Sequence, residues 1–149
     1  MRDTAEPSGA TVKIDCGGKT ADFPKGITVL EAIRALAPED AQHILCAMRG
    51  GVCMELGEPL LENATLRGLT YKDEEGRRVY ERSLRFLLLL SMSRLFPGKR
   101  VRILNSVGYG VYLRVLEEDM DHAMVRALET DMQALVARNL SFEKEIWSK

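Results

Sequence analysis

Hydrophobic and polar positions divide the 149-residue chain into short alternating runs, followed by one dense apolar run with mixed elements after it. Alternation over 11–15 and 20–24, with Gly17 and Gly18 between them, predicts an opening β-hairpin. Thr28 is placed to cap a helix over 29–36 that buries Val29, Ile33 and Leu36, with Glu31 completing a capping box and Pro38 ending it. Runs at 44–48 and 52–56, joined by a turn through Arg49, Gly50 and Gly51, predict two more strands, and 66–71 predicts a last one after the Glu58 to Leu61 turn.

The run 82–96 has the densest apolar content of the chain. Leu84, Leu87, Leu88, Met92 and Leu95 follow helical spacing, while Phe86, Leu89, Leu90 and Phe96 widen the stripe around most of the circumference. A core helix covered on nearly all sides is expected, in which Leu88→Ala costs roughly 2–5 kcal/mol. With Arg82, Arg85 and Arg94 inside it, the run is too short and too charged to cross a bilayer. Pro97 and Gly98 stop the helix. Strands at 99–104 and 111–115 should flank a glycine-bearing turn over 105–110. A helix led by Glu117, Glu118 and Asp119 should run to about Arg138, burying Ala123, Met124, Ala127, Leu128, Leu135 and Val136, and end at Asn139. Alternation over 141–147 predicts a final strand. The expected organisation is α+β: a tail over 1–10, a first domain over 11–72, a polar linker over 73–78 and a second module over 79–149.

Composition, 46% hydrophobic and 29% charged, names no function. The first ten residues lack the apolar segment of a secretion signal, so a cytoplasmic location is expected. Cys16, Cys46 and Cys53 have neither the number of a disulfide framework nor the spacing of a zinc site, and they read as small buried hydrophobes. His43 and His122 read as structural or solvated, and no metal is expected. Gly18, Lys19 and Thr20 hint at a phosphate loop, but Lys13 stands where the earlier glycine belongs and a strand follows instead of a helix.

Charge changes this picture. The net charge is −1, yet residues 1–76 hold 8 Lys and Arg against 13 Asp and Glu, while 77–149 hold 13 against 9. Within 77–102 only Glu81 opposes Arg77, Arg78, Arg82, Arg85, Arg94, Lys99, Arg100 and Arg102. An anionic partner fits there, as does a solvated face neutralised by acidic neighbours. The candidate phosphate site is Arg82, Arg85, Lys99, Arg100 and Arg102 with Asn105 and Ser106; no catalytic residue is expected.

The order ββα followed by further strands is that of a β-grasp fold. With Phe23, Pro24, Gly26 and Thr28 leading into the helix, a glycine turn after strand three, and Pro59 with Leu60, the first half resembles the TGS domain. That module occurs in threonyl-tRNA synthetases, certain translation-associated GTPases and stringent-response enzymes. The second half is similar to the start of the synthetases' editing domain through Ser83, the Leu95, Phe96, Pro97 helix end, Gly110, Tyr112, and 139–143. Where that domain's helix carries two histidines four residues apart, this chain has Arg82 and Phe86, neither a base nor a metal ligand at neutral pH. The resemblance therefore implies a degenerate site without editing hydrolysis.

The wording Val79 to Leu88, with Arg82, Ser83 and Leu84 at the histidine start, looks like bacterial uridine kinase-type nucleoside kinases that carry such domains ahead of a phosphate-loop domain. That resemblance implies a non-catalytic accessory region docking a nucleotide or another phosphate ligand, cut from a longer kinase whose C-terminal domain would be its partner and would use ATP and magnesium. The alternatives are an RNA-binding relic of synthetase ancestry, whose basic segment tracks a phosphate backbone, and a structural interface joining protomers into a homo-oligomer.

Overall fold

The computed structural model describes residues 9–107, 110–116, 118–143, 145 and 146, without the side chains of 105–107. Most of the expected N-terminal tail, together with Gly108, Tyr109, Glu117, Lys144 and Trp147, lies outside the described residues. The elements make a mixed α+β fold in two compact units, Met1–Arg82 and Ser83–Lys149.

In the first unit, β1 (Thr11–Cys16) and β2 (Lys19–Pro24) pair antiparallel through the turn at Gly17 and Gly18, whose φ values of 62° and 79° suit residues without a Cβ. Helix α1 (Val29–Leu36) follows, then β3 (Cys46–Arg49), β4 (Val52–Met54) and β5 (Ala64–Leu69). The sheet order is β2-β1-β5-β3-β4, so the first strand lies beside the last, and those two run parallel. Val12, Ile14, Cys16 and Leu66 from the sheet meet Val29, Ala32, Ile33 and Leu36 from α1, with Leu60 sealing one end. Every second residue of β1 enters this core because strand side chains alternate between faces.

The capping box at Thr28 and Glu31 forms as expected. Glu31 N–H donates to Thr28 Oγ1 at 3.3 Å, and Thr28 N–H donates to Glu31 Oε2 at 3.0 Å. The Val29 and Leu30 amides donate to the Glu58 and Leu56 carbonyls at 3.0 and 2.9 Å, so the loop after β4 is tied to the helix start.

Helix α2 spans Glu74–Leu95 and so runs through the segment expected as a linker. Arg78 pairs with Glu74 at 2.6 Å and Glu75 at 2.7 Å, and acids in the first turn suit the helix dipole. This polar run is thus a charged first turn. Asp73, just ahead of it, accepts from Thr70 N–H at 2.8 Å and from Arg67 at 3.1 Å, while Tyr71 and Tyr80 meet edge to face. Gly76 is buried against the Thr70 carbonyl, where an added Cβ would run into backbone oxygen.

In the second unit β6 (Val101–Val107) pairs antiparallel with β7 (Gly110–Val115), and α3 (His122–Ala137) follows. β6 continues through residues expected to turn: Ser106 stands opposite Val111 and Val107 opposite Gly110, with a bulge between Ile103 and Ser106. Asp121 caps α3 by accepting from Met124 N–H at 2.8 Å, so the helix starts later than the acids at 117–119 suggested. It ends ahead of Asn139, whose φ of 47° is the expected left-handed stop. Met124, Leu128 and Leu135 are buried along one stripe; Ala123 and Val136 fall off it and are exposed. No strand forms over the described part of 141–147.

Burial of α2 differs from the expectation. In its 82–95 portion only Ser91 and Met92 are buried, and the core of this unit is Met92, Val115 and Leu128, with Leu88, Phe96, Val101 and Met120 half-buried around it. One strand pair and one helix cover one side of an apolar rod.

Two outcomes are expected at the 70–78 junction. Gly→Ala inside a helix ordinarily gains up to about 1 kcal/mol. Gly76→Ala should instead destabilise the first unit by about 1–3 kcal/mol, because the methyl group meets Thr70; a rise in urea midpoint would show that the junction gives way. Hydrogen bonds from Thr70 hold the Asp73 carboxyl below its ordinary value, and bonds from Thr28 do the same for Glu31. Since the folded state holds these protons less tightly than the unfolded state, their stabilisation is present at neutral pH and is lost as pH falls below the ordinary carboxylate range. Thermal melts of Asp73→Asn should accordingly lose part of the wild-type decline in acid.

Candidate functional site

The amides that open α1 cannot serve an anion, because Val29, Leu30 and Glu31 N–H already donate to Glu58, Leu56 and Thr28, and Ala32 N–H donates to the Thr28 carbonyl. Of the candidate cations, Arg82 is exposed and closes the first unit; the others belong to the second. Arg85 is half-buried on α2, and Lys99 is ion-paired with Glu118. Arg100 is exposed, and its carbonyl accepts from Leu116 N–H at 3.0 Å. Asn105 and Ser106 lie in β6 and not in a turn, and their side chains fall outside the described residues. Of these cations, Lys99 is thus neutralised by Glu118 and Arg85 is partly withdrawn from solvent.

What the second unit does assemble is a ribbon with two unlike faces. Val101, Ile103, Val111, Leu113 and Val115 are turned inward to differing degrees, whereas Arg102, Leu104, Tyr112 and Arg114 are exposed. Arg102 stands directly opposite Arg114 in the register. Like charges in that position oppose pairing by roughly 0.2–1 kcal/mol. Among the described residues neither has an ion-pair partner. Tyr112 is 58% exposed and lies two residues from Arg114 on the same face, beside the bulge of β6. Arg114 was not among the sequence candidates and Tyr112 served only as a landmark. The signal for both was period two: if Val111, Leu113 and Val115 turn inward, Tyr112 and Arg114 must turn outward.

A second exposed surface is the outward side of α2. Phe86 is 55%, Leu89 42% and Leu90 37% exposed, and Phe86 meets Phe142 edge to face at 5.4 Å. Phe86 and Arg82 are both solvent-facing and without acid-base capacity at neutral pH. Arg94 pairs with Asp131 of α3 at 3.6 Å, and among the described residues the second Asp131 oxygen and Ser91 Oγ are buried without hydrogen-bond partners. His43 and His122 are exposed. Among the described residues no three His, Cys, Asp or Glu side chains gather as a metal site, and no helix is long and apolar enough to cross a membrane.

No family model matches the chain. It is 30% identical over 129 residues to the threonine–tRNA ligase of Carboxydothermus hydrogenoformans, a match covering 86% of this chain and 20% of that protein. The threonine–tRNA ligase of Desulforamulus reducens is 29% identical over 128 residues, covering 85% and 20%; that of Symbiobacterium thermophilum is 34% identical over 86 residues, covering 58% and 13%. The chain spans about a fifth of the length of the first two relatives. These relatives give no support to a uridine kinase parent.

The two sides of α2 make a direct contrast. Met92→Ala removes a core side chain and should cost about 2–5 kcal/mol, whereas Leu89→Ala should cost under about 1 kcal/mol. Equal losses in denaturant titrations would mean that the exposed face is covered in solution.

Proposed function

We propose that this chain is an RNA-docking accessory module of synthetase type, without hydrolytic chemistry of its own. The observation that carries the reading is the similarity to threonine–tRNA ligases over 86% of the chain, since those proteins act on a tRNA. A TGS-like β-grasp assignment for 11–72 is supported by a single helix packed on a sheet whose first and last strands lie side by side in parallel. An editing-domain-like assignment for 79–149 is supported by the helix, ribbon and helix in the expected order. The non-hydrolytic reading rests on Arg82 and Phe86 in place of the two histidines, because arginine stays protonated at neutral pH and phenylalanine has no lone pair, so neither can act as a base. The basic ribbon provides the phosphate-directed charge that RNA docking needs. The rival accessory role in a nucleoside kinase rests on the wording from Val79 to Leu88.

The test is a titration of transfer RNA with the 149-residue protein, followed by fluorescence anisotropy at several salt concentrations. Binding should weaken roughly 40-fold between about 50 and about 200 mM salt if about three phosphates are contacted. Aminoacylated tRNA should keep its amino acid in the presence of the protein. Saturable ATP binding without RNA binding would instead favour the kinase-accessory role, and release of the amino acid would remove the non-hydrolytic assignment.

A further inference from the structure

We propose that the outward face of the β6–β7 ribbon, with Arg102 opposite Arg114 and Tyr112 beside them, is a docking site for single-stranded RNA. The guanidinium pair holds a phosphate and the Tyr112 ring stacks on the adjoining base. This rests on the RNA-docking reading above and locates it on side chains.

Three observations lead there. First, Arg102 and Arg114 face one another across an antiparallel pair, both exposed, with no ion-pair partner among the described residues. Glu118 is engaged with Lys99. Two cations held side by side repel each other until an anion lies between them, and a phosphate diester offers guanidinium groups two oxygens at once. Second, Tyr112 shares that face with Arg114 at the i, i+2 spacing, about 7 Å along the strand. It is 58% exposed, so its ring is offered to a flat partner and not packed into the core. Third, the opposite face holds the ribbon onto Met92 and Leu128 through Val115 and Val101, so the outward side chains stand on a fixed support. A ring beside paired cations suits an unpaired nucleotide, whose base has a free π-face, better than a duplex whose bases are already stacked. The chemistry recognised is a phosphate carrying a nucleobase. A free mononucleotide offers the same groups, and the two sources are separable by length dependence.

The experiment uses the 149-residue protein with an eight-nucleotide single-stranded RNA, the same sequence as a duplex, and adenosine monophosphate. The wild type should prefer the single strand. Arg102→Gln with Arg114→Gln should lower its affinity at least tenfold and reduce the slope of log affinity against log salt by about 0.7, the share of one single-strand phosphate contact. Tyr112→Ala should lose about 5- to 100-fold, whereas Tyr112→Phe, which keeps the ring, should bind as wild type does. The double variant should unfold at the same or a higher temperature, because it relieves repulsion, so weaker binding cannot be put down to misfolding. If wild type and variants bind RNA alike, RNA docking stands and this site falls. If the wild type binds neither the oligonucleotide nor tRNA, the functional reading falls with it. Equal affinity for the monophosphate and the oligonucleotide would reassign the site to a mononucleotide, and preference for the duplex would overturn the single-strand assignment.

Discussion

The first turn of α1 has amides that no helix can satisfy for itself, and the first unit is built around their partners. Thr28 and Glu31 take up two donors reciprocally, and the carbonyls of Leu56 and Glu58 take those of Leu30 and Val29. Each such bond is worth about 1 kcal/mol net, and leaving the donor buried without it costs about 1–3 kcal/mol. The loop from β4 to β5 is therefore fixed in place, Leu60 is driven into the core, and β5 is delivered to the free side of β1. The same saturation explains why no anion site can exist at that helix start, and why the basic groups that matter lie elsewhere.

The second unit is held differently. Its core of Met92, Val115 and Leu128 is small, and its part of α2 turns Phe86, Leu89 and Leu90 to the solvent. Burial stabilises in proportion to apolar area removed from water, about 25 cal/mol per Å². A helix covered on one side gains only part of what its composition could provide. The ribbon leans on this core through Val115 and Val101, so the Arg102, Tyr112 and Arg114 face owes its rigidity to a few side chains on its reverse.

What was legible in the sequence followed the locality of the signals. Helix α1 was readable to the residue because its cap and its stop are written in adjacent positions, and the hairpin turn was readable because two glycines can adopt positive φ together. The start of α2 was missed because Gly76 reads as a breaker in sequence; only in three dimensions does it become the one residue that fits under Thr70. Apolar density over 82–96 gave the helix but not its covering, since periodicity says which side chains avoid water and not which partners shield them. Alternation at 141–147 proposes a strand, but alternation does not name the edge it would pair with, and the described residues there pair with none. Among the cations, the sequence could not show that Lys99 is taken by Glu118, nor that Arg114 faces Arg102 across a bulged register.

The three thiols sit in the first unit's sheet at graded depths. Burial, with the Cys53 thiol next to it, pushes Cys46 up to about 12, and burial also raises Cys16. Both are held in the protonated form at neutral pH and lie out of reach of solvent, so neither offers the thiolate that electrophiles attack. Cys53, half-buried on the short strand β4, is the thiol a reagent meets first. The sheet thus carries its own chemical clock: one sulfur reports on the native surface, and the other two answer only when the strands part, so the ratio of single to triple labelling measures how often the first unit opens.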